Sequence, residues 1–185
     1  MMVEMAANAE LIVDLDQYRE NLDVLRSLAP TALQLAVVKA NAYGHGMVPV
    51  ARAARDVCDW LGVATGAEAL ELRAAGDEGP LLCWLAAPGA PFAQLIAADV
   101  EVTASSVGQL EEIAAAGRAR VQLKVDTGLS RSGARGTDWD ELVDQAARLQ
   151  RAGRIEVTGI WSHFACADEP ANSANDAQEV AFRQA

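Results

Sequence analysis

Cysteine, histidine and positive charge are all scarce in this chain. Its three cysteines, Cys58, Cys83 and Cys166, are odd in number and widely spaced. No C-x-x-C pair exists, so they suggest neither a disulfide framework nor a zinc site. They fit a reducing cytoplasm, where a buried cysteine is simply a small hydrophobe. Fifteen basic residues face 26 acidic ones, a net charge of −11. That balance argues against nucleic acid and against anionic membrane surfaces as partners. No run approaches the ~18 apolar residues of a membrane span. Met1 to Asp16 carries Glu4 and Glu10 and no basic segment, so it does not read as a signal peptide. The expected location is cytoplasmic. No G-x-G-x-x-G follows the first strand, which lowers a dinucleotide-binding reading.

What is present is a repeated grammar of apolar run, polar turn, capped helix and glycine. Hydrophobic residues make up 51% of 185, a globular composition with enough chain for one substantial core. Asp14 or Asp16 caps a first helix with Tyr18, Leu22, Leu25 and Leu28 on one face. Six apolar runs then read as strands: Leu35–Val38, Trp60–Ala64, Pro80–Leu85, Val100–Thr103, Val121–Val125 and Ile155–Trp161. Thr65 with Glu68, and Ser106 with Gln109, form capping-box patterns, and Gly76, Gly117 and Gly153 end helices. Pro88-Gly89 marks a turn. A last helix starts near Asn175. Strands alternating with helices at about twenty residues per unit predict an α/β fold with parallel pairing, a (β/α)8 TIM-type barrel. The strands read as buried on both faces. A closed barrel needs ~250 residues, and six units do not close it. Residues 1–185 therefore read as the N-terminal portion of a longer enzyme, with two open sheet edges.

Barrel enzymes carry their chemistry where strands end and loops begin. Lys39 stands there, between the apolar run Leu35–Val38 and the turn Tyr43-Gly44-His45-Gly46. A lysine in a dry pocket has its charged form disfavoured, which frees the amine to form a Schiff base. The plainer alternative is a surface lysine whose stem covers the core. Arg131 lies in a second cluster, Lys124-Val125-Asp126-Thr127-Gly128-Leu129-Ser130-Arg131-Ser132-Gly133. Its guanidinium fork suits a carboxylate or a phenolic oxygen, and Asp126 could orient it or a neighbour. The alternative is a loop ion pair. Asp126-Thr127-Gly128 also matches an aspartic-protease triplet, but that fold is all-β and needs two. The third cluster is Ser162-His163-Phe164-Ala165-Cys166-Ala167-Asp168-Glu169. Taken alone, His163 reads as a satisfied core histidine. A Cys166 nucleophile and a metal site with Asp168 and Glu169 are weak readings. His45 reads as a solvated turn residue.

The run Ala36-Val37-Val38-Lys39-Ala40-Asn41-Ala42-Tyr43-Gly44-His45-Gly46 closely resembles the cofactor-lysine motif of the alanine racemases. Those are pyridoxal phosphate (PLP) enzymes with a (β/α)8 barrel and a C-terminal β domain. The Lys124–Gly133 segment resembles the stretch whose arginine, at Arg131, contacts the cofactor's phenolic oxygen and the substrate carboxylate. Lys124 falls on a family lysine that is often carbamylated and holds that arginine in place. His163 falls on a histidine that lies against the cofactor ring, and Tyr43 on a residue that reaches its phosphate. The resemblance implies a PLP aldimine on Lys39 and interconversion of L- and D-alanine by two bases. Lys39 would serve the D-alanine side; a tyrosine from the C-terminal domain would serve the other, across a homodimer. It also implies D-alanine supply for cell-wall peptidoglycan. The tyrosine, the main phosphate loops and the β domain lie outside residues 1–185, so this chain alone is expected to be inactive. Two other readings stay open: a non-catalytic PLP-binding homeostasis barrel, and an inactive truncated remnant.

Overall fold

The computed structural model describes residues 10–87 and 89–185. The first nine residues and Pro88 lie outside it, and with them most of the leader-peptide reading and half of the Pro88-Gly89 turn. Helix α1 (Leu15–Leu28) is capped by Asp14, whose carboxylate accepts the N–H groups of Asp16 and Gln17. Such a cap contributes about 1 kcal/mol. The alternating units follow as β1 (Leu35–Val37), the short turn α2 (Lys39–Tyr43), α3 (Met47–Arg55), β2 (Trp60–Val63) and α4 (Gly66–Ala74). Then come β3 (Leu81–Cys83), α5 (Phe92–Ala97), β4 (Glu101–Ala104) and α6 (Val107–Ala116). Last are β5 (Ala119–Lys124), α7 (Thr137–Arg151), β6 (Ile155–Trp161) and α8 (Ser173–Gln184).

All six strands pair in parallel, in the order β1-β2-β3-β4-β5-β6. This is a run of consecutive barrel staves; among the described residues β1 and β6 do not pair with each other. Odd residues of β5, Ala119, Val121 and Leu123, are buried, and the core continues into Leu110, Ile113, Leu142 and Trp139 of α6 and α7. Burying each of these larger side chains stabilises the fold by roughly 1.5–3 kcal/mol. Even residues of β5 form polar contacts inside the arc. There, Glu101 is 4% exposed yet fully partnered. It accepts from Arg120 Nε at 3.0 Å, Gln122 Nε2 at 3.1 Å and Thr158 Oγ1 at 2.7 Å. A buried carboxylate needs such partners.

Three expectations are corrected. Not every strand is buried on both faces: Val37 is 40% and Ile160 45% exposed, because β1 and β6 are edges. Strand β6 alternates between buried or half-buried and exposed residues along its length. Leu25 and Leu28 of α1 are exposed, so only Leu22 of that stripe is buried. Thr65 and Glu68 do form a full capping box. In the second pattern Ser106 caps Gln109, but the Gln109 side chain reaches Ser105 N and Ala86 O instead of closing the box.

Candidate active site

Strand β1 ends two residues before Lys39. The chain then enters a turn that the sequence did not announce. Ala40, Asn41, Ala42 and Tyr43 all have φ between 51° and 55°, a left-handed helical turn built without glycine, which Gly44 at φ 90° closes. Each such residue costs roughly 1–2 kcal/mol. Several bonds hold the turn. Ala42 N donates to Val38 O at 2.9 Å, and Met47 N to Asn41 Oδ1 at 2.8 Å. His45 Nδ1 donates to Ala42 O at 2.8 Å, which fixes its tautomer; the residue is exposed, as a solvated turn residue would be, and its ring also braces the turn. Strain kept at one spot by surrounding contacts is typical of functional sites.

Glu68 does two jobs here. One oxygen closes the α4 capping box on Thr65 N, and the other accepts Ala40 N–H at 2.7 Å, tying the Lys39 turn to the next helix. Burial raises its carboxyl pKa. The N–H bonds from Thr65, Ala40 and Ala64 outweigh that and hold it below the usual carboxylate range. The capping-box pattern identified Glu68; the reach to Ala40 had no signal in sequence.

Lys124, at the end of β5, is 4% exposed. Its Nζ donates to Ser132 Oγ and lies 4.8 Å above the Trp161 ring, while Trp161 Nε1 donates to Thr103 Oγ1 at 3.2 Å. Trp161 faces inward only because of a bulge. Val121 pairs with Val157, but Gln122 pairs with Gly159, so Thr158 is skipped and Trp161 lands beside Lys124. One extra residue turns every later side chain to the other face. Burial, then the nearby Arg131 guanidinium, push the Lys124 pKa down, with Asp126 opposing.

The Arg131 loop folds back on β5. Asp126 N donates to Ala134 O at 2.9 Å and Ala134 N to Lys124 O at 3.0 Å. Gly133 has to be glycine, since a Cβ would meet Asp126 N at 2.8 Å and Val125 C at 2.9 Å, in a residue at φ 117°. The Asp126 carboxylate accepts Gly128 N at 3.1 Å and Ser130 N at 2.9 Å. It organises the loop backbone, so of the two expectations for Asp126 the structure shows it holding Arg131's neighbours and not the guanidinium itself. Arg131 makes no ion pair with any described residue, against the loop ion-pair reading.

The structure brings Lys39, Tyr43, Lys124, Arg131 and His163 to one cavity of about 520 Å³ on the carboxyl side of the strands, walled by Trp84 and Trp161. His163 is exposed at its mouth, against the core-histidine reading. Burial first, then Arg131, Lys124 and Lys39, hold its imidazole pKa below the ordinary value. Lys39 is half-buried, wetter than the dry pocket expected for it, and its Nζ lies 5.6 Å from the Tyr43 ring. Within a protein of net charge −11, this cavity gathers three cationic side chains, none in an ion pair with a described residue. That donor set suits a ligand bearing phosphate, carboxylate or phenolate oxygens. Its primary amine suits a carbonyl. A pyridine aldehyde phosphate fits all of these.

Comparison with known proteins points the same way. The alanine racemase N-terminal domain family matches residues 13–185. The alanine racemase of Salinispora tropica is 50% identical over 182 residues, covering 95% of this chain and 49% of the relative. The crystal structure of alanine racemase from a D-cycloserine-producing Streptomyces lavendulae superposes with a TM-score of 0.91 at 50% identity, over 93% of this chain and 47% of that one. The Bacillus anthracis alanine racemase, solved with bound L-Ala-P, gives 0.81 at 32% identity, over 93% and 46%. The chain thus spans about half the length of these relatives.

Proposed function

The chain belongs to the alanine racemase N-terminal domain family, and on that premise we propose that it is the N-terminal portion of a PLP-dependent enzyme interconverting L- and D-alanine. The observation carrying this is the cavity that unites Lys39, Lys124, Arg131 and His163 without a carboxylate, among the described residues, paired to any of the three cations. Lys39, Tyr43 and His163 would hold PLP, which when bound supplies an electron sink that acidifies the α-hydrogen of an amino acid. Arg131 would bind the substrate carboxylate through its fork of donors. Lys124, as the unmodified ammonium, would keep the Arg131 loop in place through Ser132, and it is the lysine we assign as open to carbamylation. Lys39 Nζ, once free, accepts or returns the α-proton on one face, the D-alanine side. Trp84 and Trp161 give the cavity apolar walls, beside which a charge interaction is stronger than in open water. The second base would come from a β domain in a homodimeric, cytoplasmic, full-length protein supplying D-alanine for peptidoglycan.

The test is reduction of the PLP-loaded full-length protein with borohydride, followed by peptide mapping. Label is expected on Lys39. Label on Lys124, or on no lysine, would overturn the assignment.

A further inference from the structure

Gln178 belongs to none of the motifs discussed above. It lies in α8 and is 3% exposed, at a helix position that would ordinarily be apolar. A buried amide stands only where its partners are present. These partners all lie in the two loops that carry Arg131 and His163. Gln178 Nε2 donates to Thr127 Oγ1 at 3.0 Å and to the His163 carbonyl oxygen at 3.0 Å. Its Oε1 accepts Ala165 N–H at 2.8 Å. Thr127 Oγ1 also lies 2.5 Å from Ser162 Oγ, so the two loops meet directly at the amide. The backbone runs close against it: a Cβ on Gly128 would touch Gln178 Cγ at 3.6 Å.

One planar group therefore spans both loops. Its two amide hydrogens go to acceptors in different loops, and planarity leaves little freedom in the distance between them. We propose that Gln178 is a positioning residue, clamping the β5–α7 loop to the β6–α8 loop and so setting His163 relative to Arg131. Its effect on turnover rests on the racemase reading; the clamp itself does not. Partial burial first, then the facing charges of Arg131, Lys124 and Lys39, lower the His163 pKa, so its titration reports how these loops are packed and spaced.

In the full-length enzyme, Gln178→Met removes all three bonds at similar volume. It is expected to lower kcat/KM for alanine on the order of 100-fold, the scale of loss that a misplacement of about 1 Å produces. In the cofactor-free protein, His163 followed by NMR is expected to titrate closer to the ordinary imidazole value of about 6.5 than in the parent. An unmoved His163 titration overturns the clamp, even if melting temperature or turnover falls. Turnover within twofold of the parent overturns it too. If Gln178→Met does not fold, Thr127→Val keeps the shape and deletes one of the three amide bonds together with the Thr127–Ser162 contact. It must move the His163 titration in the same direction by less, and no movement overturns the proposal. A parent that does not racemise, with a titration that still shifts in the variant, would sink the racemase reading and support the clamp.

Discussion

At Arg131 the relevant quantity is its lack of an ion-pair partner among the described residues. A guanidinium held at a cavity mouth with no paired carboxylate is ready for an external one, and its removal leaves nothing in the fold unsatisfied. Arg131→Ala in the full-length enzyme is expected to cut turnover of both enantiomers by about 100-fold or more while shifting stability by less than about 0.5 kcal/mol. Urea denaturation beside a racemisation assay checks it; unchanged racemisation contradicts the role. His163 gives a pH test. Its folded pKa is lowered, so the unfolded chain binds the proton more readily. Its contribution to stability is therefore present above about 6.5 and is lost as pH falls from there toward the lowered folded value. Replacing it with Asn should flatten that part of the denaturation-midpoint curve, and an unaltered slope argues against an imidazole lowered by burial and the three cations. Both residues were legible in sequence because each sits in a run specific enough to recognise. Glu68 was legible only as a cap. Its bond to Ala40 crosses 28 residues, and no local pattern encodes that.

Among the elements, the Lys39 turn departs furthest from what propensity favours. Alanine, asparagine and tyrosine carry no glycine-like licence for φ near +53°, yet four such residues follow one another. The site, and not the local preference, decides their conformation. Ala40 is exposed, so Ala40→Gly removes the left-handed penalty without opening a cavity. After the entropy cost of glycine, a net gain of roughly 0.5–1 kcal/mol is expected from chemical denaturation. Destabilisation would mean the turn is not strained. The β6 bulge was equally hidden. Ile155–Trp161 reads as a uniform strand, and only pairing against β5 shows that Thr158 is skipped and Trp161 turned toward Lys124. A slip of one residue leaves no mark on an apolar run whose faces are not yet assigned.

For the whole molecule, the arc leaves two sheet edges and an apolar stripe on α1 uncovered among the described residues. Ile160 on β6, and Leu25 and Leu28 on α1, are between 45% and 76% exposed. Unpaired strand edges beside apolar side chains recruit further strands. The 185-residue chain is expected to associate as its concentration rises in sedimentation velocity, and Ile160→Lys to weaken that association about tenfold, or about 1.4 kcal/mol. A monomer at every concentration would contradict it. The sequence by itself determined the order of strands and helices, the barrel class and the lysine, arginine and histidine of the cavity, because periodicity, caps and contiguous motifs are all local. Tertiary structure alone decided the left-handed turn, the inward Trp161, the reach of Glu68 and the Gln178 clamp. Each of these depends on which distant backbone group a side chain meets, and that is settled only when the staves pair.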